Sequence, residues 1–409
     1  MKSLIVYLQF FFFLTAISAG EKTFLSVSKA FPQRLKVFLS STGKSKEETP
    51  KLLSIMARDL LYSGYFTASV SDSYPVKDVK KERQKAKTYD LFCLLEQRES
   101  SFTVKVEETG GWENLFQNSY TWSTETNRLA HRIVDDIVQA LTGKPGIAQS
   151  QICFVGCRQS GEQIYVVDYD GENLYEVTGA DKLKKFPRWF PDKDRIVCLV
   201  EDHPGFRFGI FSLSTRQLQL LSSSLAAGPA AVNPRYSELA AVFCDDGNAE
   251  IYRVDRETGA QIRLTFSRFL ETSPCFSPDG EEIVFVSDRT GQSHLYVMDR
   301  HGRSIRPLYY PQAMSYSPDW SPDGRLICFV LEKSAQRKLA LYDLMKKEVR
   351  VIPSTGNVDC PRWAPDSRHL VFTKTGAEKR QLVILDSVRE ETRLLVPEEL
   401  KPHSPAWSR

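Results

Sequence analysis

Residues that could carry catalysis or hold a metal are present in this sequence, but their spacing favours neither role. The histidines of the second half fit no zinc-ligand pattern; they are His203, His294, His301, His369 and His403. Asp168-Tyr-Asp170-Gly171 resembles part of a calcium loop, but the further acidic ligands are missing, so we interpret it as a hairpin turn. A Gly-x-Ser-x-Gly nucleophile motif is also missing. We therefore predict a protein that is not an enzyme and that needs no metal or cofactor.

Aspartates recur instead at a fixed place in a repeated segment. The pattern Pro-x-aromatic-x-Pro-Asp occurs at residues 187–192, 274–279, 318–323 and 361–366, with a degenerate copy at 229–234 and a truncated copy at 405–409. The aromatic slots are 43 or 44 residues apart: Trp189, Val232, Phe276, Trp320, Trp363 and Trp407. A second mark lies later in each unit, and five of the six marks follow an apolar strand: Asp168, Asp255, Asp299, Asp343 and Asp386, with Ser214 in the remaining place. The aspartates are interpreted as turn residues.

This repeat predicts the blades of a β-propeller. Ser277-Pro278-Asp279-Gly280 suits a type I turn between two strands, because proline fixes φ at the second position and glycine fits the fourth. A period of 40–45 residues with several short strands is typical of propeller blades. The sixth unit has only its first strand before Arg409, so we expect residues 151–178 to supply the other strands of that blade. Such closure protects the strand edges of the ring.

Most cysteines fit the interior of these blades. One slot of the strand after each turn holds interchangeable apolar residues, which indicates a core position: Cys198, Ala241, Phe285, Cys328 and Phe372. Cys153 and Cys157 are four residues apart and could pair in an oxidising compartment. The sequence leaves their state open.

The N-terminus predicts export. Lys2, an apolar run over residues 4–14 and small residues up to Gly20 form the three parts of a secretory signal peptide. The run is too short to span a bilayer, so the protein is not expected to be membrane-spanning. In the whole chain of 409 residues, 54 basic residues face 51 acidic ones. A net charge of +3 argues against binding to nucleic acid.

The segment between the signal peptide and the repeats alternates helix and strand signals. We expect Thr49 and Thr124 to cap two helices and Gly143 to end the second. The basic run over residues 77–87 is interpreted as a solvated helix face, with a phosphate or lipid-headgroup site as the alternative. The predicted organisation is therefore a signal peptide over 1–20, a small α/β domain over 21–144 and a six-bladed all-β propeller over 145–409.

Four segments carry a resemblance to a known family. They are Leu129-Ala-His131-Arg-Ile-Val-Asp135, Leu141-Thr-Gly143-Lys-Pro-Gly146, Ile152-Cys-Phe-Val155 and Pro405-Ala-Trp407-Ser408. These look like the helix, the hinge, the first blade and the C-terminus of the TolB family, the periplasmic propeller proteins of the Tol-Pal envelope system. The resemblance covers nearly the whole mature chain. His131 lies four residues before Asp135 and is interpreted as a partner in a solvated ion pair.

The resemblance implies a non-enzymatic adaptor of the periplasm. TolB-like propellers bind Pal, an outer-membrane lipoprotein associated with peptidoglycan, and support outer-membrane integrity and envelope constriction during cell division. The mature N-terminus of the family also contacts a TolA-like inner-membrane protein; residues 21–33 would be that segment here. An exported propeller hydrolase or lyase, or a glycan-binding propeller, is the alternative.

The connections between successive blades are the predicted binding face. They should ring one end of the central channel, here called the loop mouth, while the Pro-Asp turns ring the other end, the turn mouth. The connections are residues 182–186, 224–228, 268–272, 310–316, 356–360 and 399–404. Large aromatics beside charges suit a protein interface. The candidate protein-binding residues are Phe186, Phe269, Glu271, Thr272, Tyr310, Tyr316, Asp359 and His403.

Overall fold

The structure, a computed structural model, describes residues 33–43, 47–72, 75–158, 161–179, 182–221, 224–245, 247–309, 313–353, 356–376 and 379–409. The predicted signal peptide lies outside these ranges. The chain divides into two compact units, Met1–Lys144 and Pro145–Arg409. Within the described ranges, no helix combines the length and the apolar character needed to cross a membrane.

The first unit is a five-stranded sheet with helices on both faces. Its elements are β1 (Leu35–Gly43), α1 (Glu48–Tyr62), β2 (Phe66–Val70), α2 (Val79–Ala86), β3 (Leu91–Gln97), β4 (Ser101–Glu108), β5 (Asn114–Thr121) and α3 (Thr126–Thr142). The strand order is β2-β1-β3-β4-β5, with β1 parallel to β2 and β3 and the other pairs antiparallel. Alternate side chains of β1 and β3 pack against α1 and α3 on one face and against α2 on the other, as the period of two in a strand requires.

Both predicted N-caps of this unit were wrong. Helix α1 begins at Glu48, and the buried hydroxyl of Thr49 donates instead to Oε1 of Gln97 on β3, at 3.1 Å. Helix α3 begins at Thr126 and has no side-chain cap. Just before it, the hydroxyl of Ser123 accepts the N–H of Glu125 at 3.1 Å. The predicted end of α3 is confirmed, because Gly143 takes the left-handed conformation (φ 69°) that a helix C-terminus favours.

The predicted role of His131 was also wrong. The side chain is buried rather than solvated, and its Nδ1 lies 2.6 Å from Oδ2 of Asp59 on α1. The pair therefore joins α3 to α1 inside the domain. The i,i+4 spacing to Asp135 is real on the helix, but the face that carries His131 points into the core, among Ala130, Ile133 and Val134.

The basic run forms a helix, as expected, with its charges at the surface. Asp78 caps α2 by accepting the N–H groups of Lys80 and Lys81, at 2.9 and 3.3 Å. Arg83 pairs with Glu107 at 2.6 Å and Lys85 with Glu82 at 2.7 Å. Internal carboxylates thus already engage two of its cations.

The second unit consists of six four-stranded antiparallel sheets. Its strands are β6 (Gln151–Arg158), β7 (Gly161–Asp168), β8 (Tyr175–Glu176), β9 (Lys184–Trp189), β10 (Arg195–Asp202), β11 (Gly205–Ser212), β12 (Leu218–Leu220), β13 (Ala231–Val232), β14 (Glu238–Asp245), β15 (Asn248–Asp255), β16 (Gln261–Arg263), β17 (Glu271–Phe276), β18 (Glu282–Ser287), β19 (His294–Asp299), β20 (Arg306–Tyr309), β21 (Met314–Trp320), β22 (Leu326–Lys333), β23 (Gln336–Asp343), β24 (Glu348–Ile352), β25 (Asn357–Trp363), β26 (His369–Thr375), β27 (Arg380–Asp386), β28 (Glu391–Leu394) and β29 (His403–Trp407). A short 3₁₀ turn, Glu398–Leu400, precedes β29. The first strands of neighbouring blades contact one another around the whole ring and therefore line the channel.

The ring closes as the repeat predicts. Strand β29 pairs with β6, so the sixth blade has the order β29-β6-β7-β8 and combines both ends of the unit. Trp407 is buried there and donates its indole N–H to the hydroxyl of Ser150 at 2.6 Å. Trp189 of the adjacent blade donates to the carbonyl of Ala406 at 3.1 Å. The predicted fold class, an α/β domain followed by a six-bladed propeller closed by the C-terminal strand, is confirmed.

Both sets of repeated aspartates serve turns, as expected. In the Pro-Asp turns, Oδ1 of Asp366 accepts the N–H groups of Arg368 and His369, each at 2.9 Å. In the later turns, Oδ1 of Asp343 accepts from Met345 and Lys346, each at 3.0 Å. These side chains mimic a backbone turn, which is the usual role of aspartate in such loops. The equivalent residues of the other blades differ in detail but remain in turns.

One member of the second set was assigned wrongly. Ser212, not Ser214, occupies the slot in the blade of β9–β12, because Ser212 pairs with Arg195 as Asp343 pairs with Leu326. Serine also accepts the turn N–H there, from Thr215 at 3.3 Å. The apolar slot of the second strands is confirmed as core, since all five of its residues are buried. Cys153 and Cys157 form no disulfide with each other.

Candidate protein-binding site at the loop mouth

The antiparallel order of each blade decides which loops meet at the loop mouth. The first strand starts at this mouth, the second returns to it, and the third leaves it again. The connections between blades therefore share this end of the channel with the turns between second and third strands. Residues of both kinds of loop can converge on one surface.

A distortion of the inner strands shapes this mouth. In five blades the residue before the first repeat proline has a positive φ of about 50°, and the strand pairing shifts there. These residues are Phe186, Ser273, Ser317, Cys360 and Ser404. A left-handed conformation is uncommon for a bulky side chain, while small polar residues adopt it more readily. Phe186 therefore occupies a strained position that its counterparts fill with serine or cysteine.

Phe186 borders a cavity of about 360 Å³ at the loop mouth. Three of the predicted residues, Phe186, Asp359 and His403, line it together. The charged residues that complete its lining are Glu162, Lys185, Arg337 and Arg380. The cavity thus combines one aromatic edge with charges of both signs.

The charges in this cavity are partly paired. His403 Nε2 lies 3.2 Å from Oε1 of Glu162, and Nη1 of Arg337 lies 3.8 Å from Oδ2 of Asp359. Burial lowers the pKa of His403, and Arg380 adds to this effect, although Glu162 opposes it. Arg337 remains about 44% exposed, so a partner can reach its guanidinium.

Tyr316 adjoins the same cavity through Arg337. The guanidinium carbon of Arg337 lies 5.9 Å from the centroid of the Tyr316 ring, within cation–π range. The Tyr316 hydroxyl donates to the sulfur of Met314 at 3.0 Å. Tyr316 thus contacts a lining residue of the cavity without lining it itself.

The other predicted residues either do not line this cavity or lie outside the described residues. Phe269 is half-buried beneath Arg268, whose guanidinium carbon is 5.3 Å from the ring centroid. Thr272 follows on β17 and is half-buried. Glu271 is fully buried, with Arg289 and Ser287 each 3.0 Å from Oε1, and burial raises its pKa. Its carboxylate is thus buried in the blade and is not exposed to a protein partner. Tyr310 lies outside the described residues.

The sequence analysis missed two cations of the cavity, Arg337 and Arg380. Arg337 and Arg380 stand at turns between second and third strands, and only the connections between blades were considered. The signal was available, because counting four antiparallel strands per repeat places those turns at the same mouth. Glu162, near the start of the third strand of the closing blade, follows from the same count.

Comparison with known proteins places the propeller in a family. Residues 138–409 match the family model of the TolB beta propeller domain, PD40. The chain belongs to this TolB family. The Protein TolB homolog of Chlorobium chlorochromatii (strain CaD3) is 31% identical over 190 residues, which are 45% of this chain and 42% of that protein. The Tol-Pal system protein TolB of Dinoroseobacter shibae is 28% identical over 272 residues, 60% of each chain.

A solved structure agrees with this assignment at the level of fold. The crystal structure of TolB from Acinetobacter baumannii matches with a TM-score of 0.80 and 22% identity, and the match covers 92% of this chain and 97% of that one. The likeness spans both the α/β domain and the propeller. The match to the curated TolB relatives covers less than two thirds of their length: 42% of the protein from Chlorobium chlorochromatii and 60% of the one from Dinoroseobacter shibae.

Proposed function

We propose that this TolB-family protein is a non-enzymatic adaptor of the Tol-Pal system, located in the periplasm. Its partner is a Pal-like outer-membrane lipoprotein, and its role is to support outer-membrane integrity and envelope constriction during cell division. The family match and the Tol-Pal name of the Dinoroseobacter shibae relative support the system. The predicted signal peptide supports the compartment.

The interface is proposed at the loop mouth, and Phe186 is the observation that carries this choice. A strained backbone persists only where the surrounding structure imposes it, and such strain clusters at binding sites. Four sister blades show that serine or cysteine suffices for the fold at this position. An aromatic there, beside Lys185, Asp359 and Arg337, offers the anchor and the polar rim that protein interfaces combine.

A second contact is proposed for the mature N-terminus. Residues 21–33 would bind a TolA-like inner-membrane protein, as the family resemblance implies. All but Gln33 of this segment lie outside the described residues.

Phe186→Ser tests the interface with the residue that other blades already carry. We expect the dissociation constant for the soluble domain of the organism's own Pal-like lipoprotein to rise about thirtyfold, which corresponds to a hot spot of about 2 kcal/mol. The fold should persist, because Ser273, Ser317 and Ser404 adopt the same backbone conformation. Isothermal titration calorimetry with the full chain gives the affinity, and circular dichroism gives the melting temperature.

Tyr236→Ala is the matched control. Tyr236 is an exposed aromatic that follows the degenerate repeat segment 229–234 at the turn mouth, where its ring stacks with Arg300 at 4.3 Å. Its removal should leave the affinity unchanged. If Tyr236→Ala weakens binding and Phe186→Ser does not, the lipoprotein binds the other mouth; if wild-type protein does not bind at all, the adaptor role itself is wrong.

A further inference from the structure

The turn mouth contains a second cavity, built from one equivalent residue of every blade. These residues follow the first repeat proline or its counterpart and take the same place in the pairing of first and second strands. They are Arg188, Ala231, Cys275, Asp319, Arg362 and Ala406. All six line one cavity of about 320 Å³. Prolines of the turns stand around it: Pro191, Pro234, Pro278 and Pro322.

The charges in this cavity are unbalanced. Its lining includes the side chains of four arginines, Arg188, Arg235, Arg362 and Arg409, and one acidic side chain, that of Asp319. Aspartate and glutamate residues often balance such groups, but Asp319 is the only acidic residue that the described lining contains.

Asp319 is already committed to other groups. Its Oδ2 accepts the backbone N–H of Trp363 at 2.8 Å and pairs with the guanidinium of Arg409. Its Oδ1 lies 3.5 Å from the sulfur of Cys275. Its negative charge therefore offsets only part of the positive charge that Arg188 and Arg362 bring into the channel.

Arg362 has a buried donor to spare. Only 7% of the residue is exposed, and its Nη1 donates to the carbonyls of Pro361 and Pro318, at 2.9 and 3.2 Å. Its Nε is buried and has no hydrogen-bond partner among the described residues. A buried N–H that loses its water partners without replacement is costly, and more so on a charged group.

Arg188 is close enough to Arg362 for the positive charge of Arg362 to act on it. It is half-buried in the channel, and its Nη1 donates to the carbonyl of Pro187 at 2.7 Å. Burial first, and the positive charge of Arg362 second, lower the pKa of Arg188. Asp319 opposes both effects. An anion between the two guanidinium groups would offset the repulsion between them further.

We propose that this cavity at the turn mouth binds a small oxyanion, a carboxylate or a phosphate group, held by Arg188 and Arg362. Guanidinium groups suit both anions, because their planar set of donors matches the spacing of carboxylate and phosphate oxygens. Trp189, Phe190 and the turn prolines add apolar surface to the lining, and a charge-assisted hydrogen bond is stronger beside apolar surface than in bulk water. The site is independent of the proposed function, since it lies at the opposite mouth and needs no protein partner.

Titration calorimetry of the full chain at low ionic strength tests the site, with inorganic phosphate in one arm and succinate in the other. We expect saturable binding of one ion per chain. Arg188→Ala should weaken it at least tenfold, and so should Arg362→Gln. Alanine already occupies the equivalent place at Ala231 and Ala406, so Arg188→Ala is expected to fold, and its melting temperature should equal or exceed that of the wild type because one like charge is removed.

Arg350→Ala is the control for general loss of positive charge. Arg350 lies on the outer strand β24, is about 49% exposed and pairs with Glu390 at 3.2 Å, so its removal should leave the affinity unchanged. Tighter binding of phosphate or of succinate tells which group is preferred, and either result supports the site. The proposal is overturned if neither anion binds saturably, or if binding survives both channel substitutions. Failure of lipoprotein binding has no bearing on this titration.

Discussion

Deletion of residues 403–409 is expected to unfold the propeller rather than merely lower its melting temperature. The deletion removes strand β29 and leaves β6 as an open edge in the channel wall. Loss of a buried tryptophan such as Trp407 alone costs about 3–5 kcal/mol. The same deletion removes the hydrogen bonds to Ser150 and Trp189. Together these losses approach the roughly 5–15 kcal/mol that stabilises a typical domain.

Trp407→Phe is the graded control for this deletion. It keeps an aromatic in the slot and loses mainly the indole hydrogen bond to Ser150, so the ring should stay closed with a modestly lower melting temperature. Tryptophan fluorescence and circular dichroism during thermal unfolding distinguish the two outcomes. A cooperative transition in the deletion variant at the wild-type temperature would show that β29 does not close the ring.

The propeller could be predicted because its evidence is periodic. The same spacing of 43 or 44 residues recurs through six copies, so the period is still evident although one copy has Val232 in the aromatic slot. Ring closure could be predicted because the repeat mark at residues 405–409 and the strand signals at 151–178 together make one blade. Local signals were less reliable. Thr49 and Thr124 have the residue type of a helix cap, but the hydroxyl of Thr49 donates to Gln97 across the domain. Before α3, the hydroxyl of Ser123, not that of Thr124, accepts the N–H of Glu125.

The loop mouth could be predicted only in part, because burial depends on contacts that no repeat shows. Phe186, Asp359 and His403 do line one cavity, since the blade connections carry all three. Glu271 has the sequence context of a surface charge, yet Arg289 and Ser287 hold it inside the blade. The left-handed backbone of Phe186 also left no mark in the sequence, because no glycine stands there.

Asp386→Ala is expected to destabilise the propeller by about 3–5 kcal/mol, because it removes one partner of a buried ion pair. Arg368 and Asp386 are 8% and 5% exposed. They form a two-bonded pair, with Nε 3.0 Å from Oδ1 and Nη2 2.6 Å from Oδ2. For a domain of this size the melting temperature should fall by about 10 °C. Differential scanning calorimetry measures this shift.

Asp255→Ala is the matched control, because Asp255 holds the same turn position in another blade. Its Oδ1 accepts the N–H groups of Glu257 and Thr258, at 3.0 and 2.7 Å, just as Asp386 accepts those of Val388 and Arg389. It is only half-buried, so its loss should lower the melting temperature much less than the loss of Asp386 does. Equal losses in the two variants would show that the turn, and not the buried ion pair, accounts for the effect.

Acid provides an independent measure of the same pair. Burial alone would raise the pKa of Asp386, but the hydrogen bond from Arg368 and the charge of His369 outweigh it and hold the pKa below its usual value. A carboxyl group with a depressed pKa stabilises the fold fully above the pKa of its unfolded state, about 3.9, and this contribution disappears as the pH falls through the folded-state value. The melting temperature of the wild type should therefore drop more steeply below about pH 4 than that of Asp386→Ala, which has no carboxyl group left to protonate there. Parallel acid profiles for the two proteins would contradict this assignment, because they would place the acid-sensitive charge elsewhere in the chain.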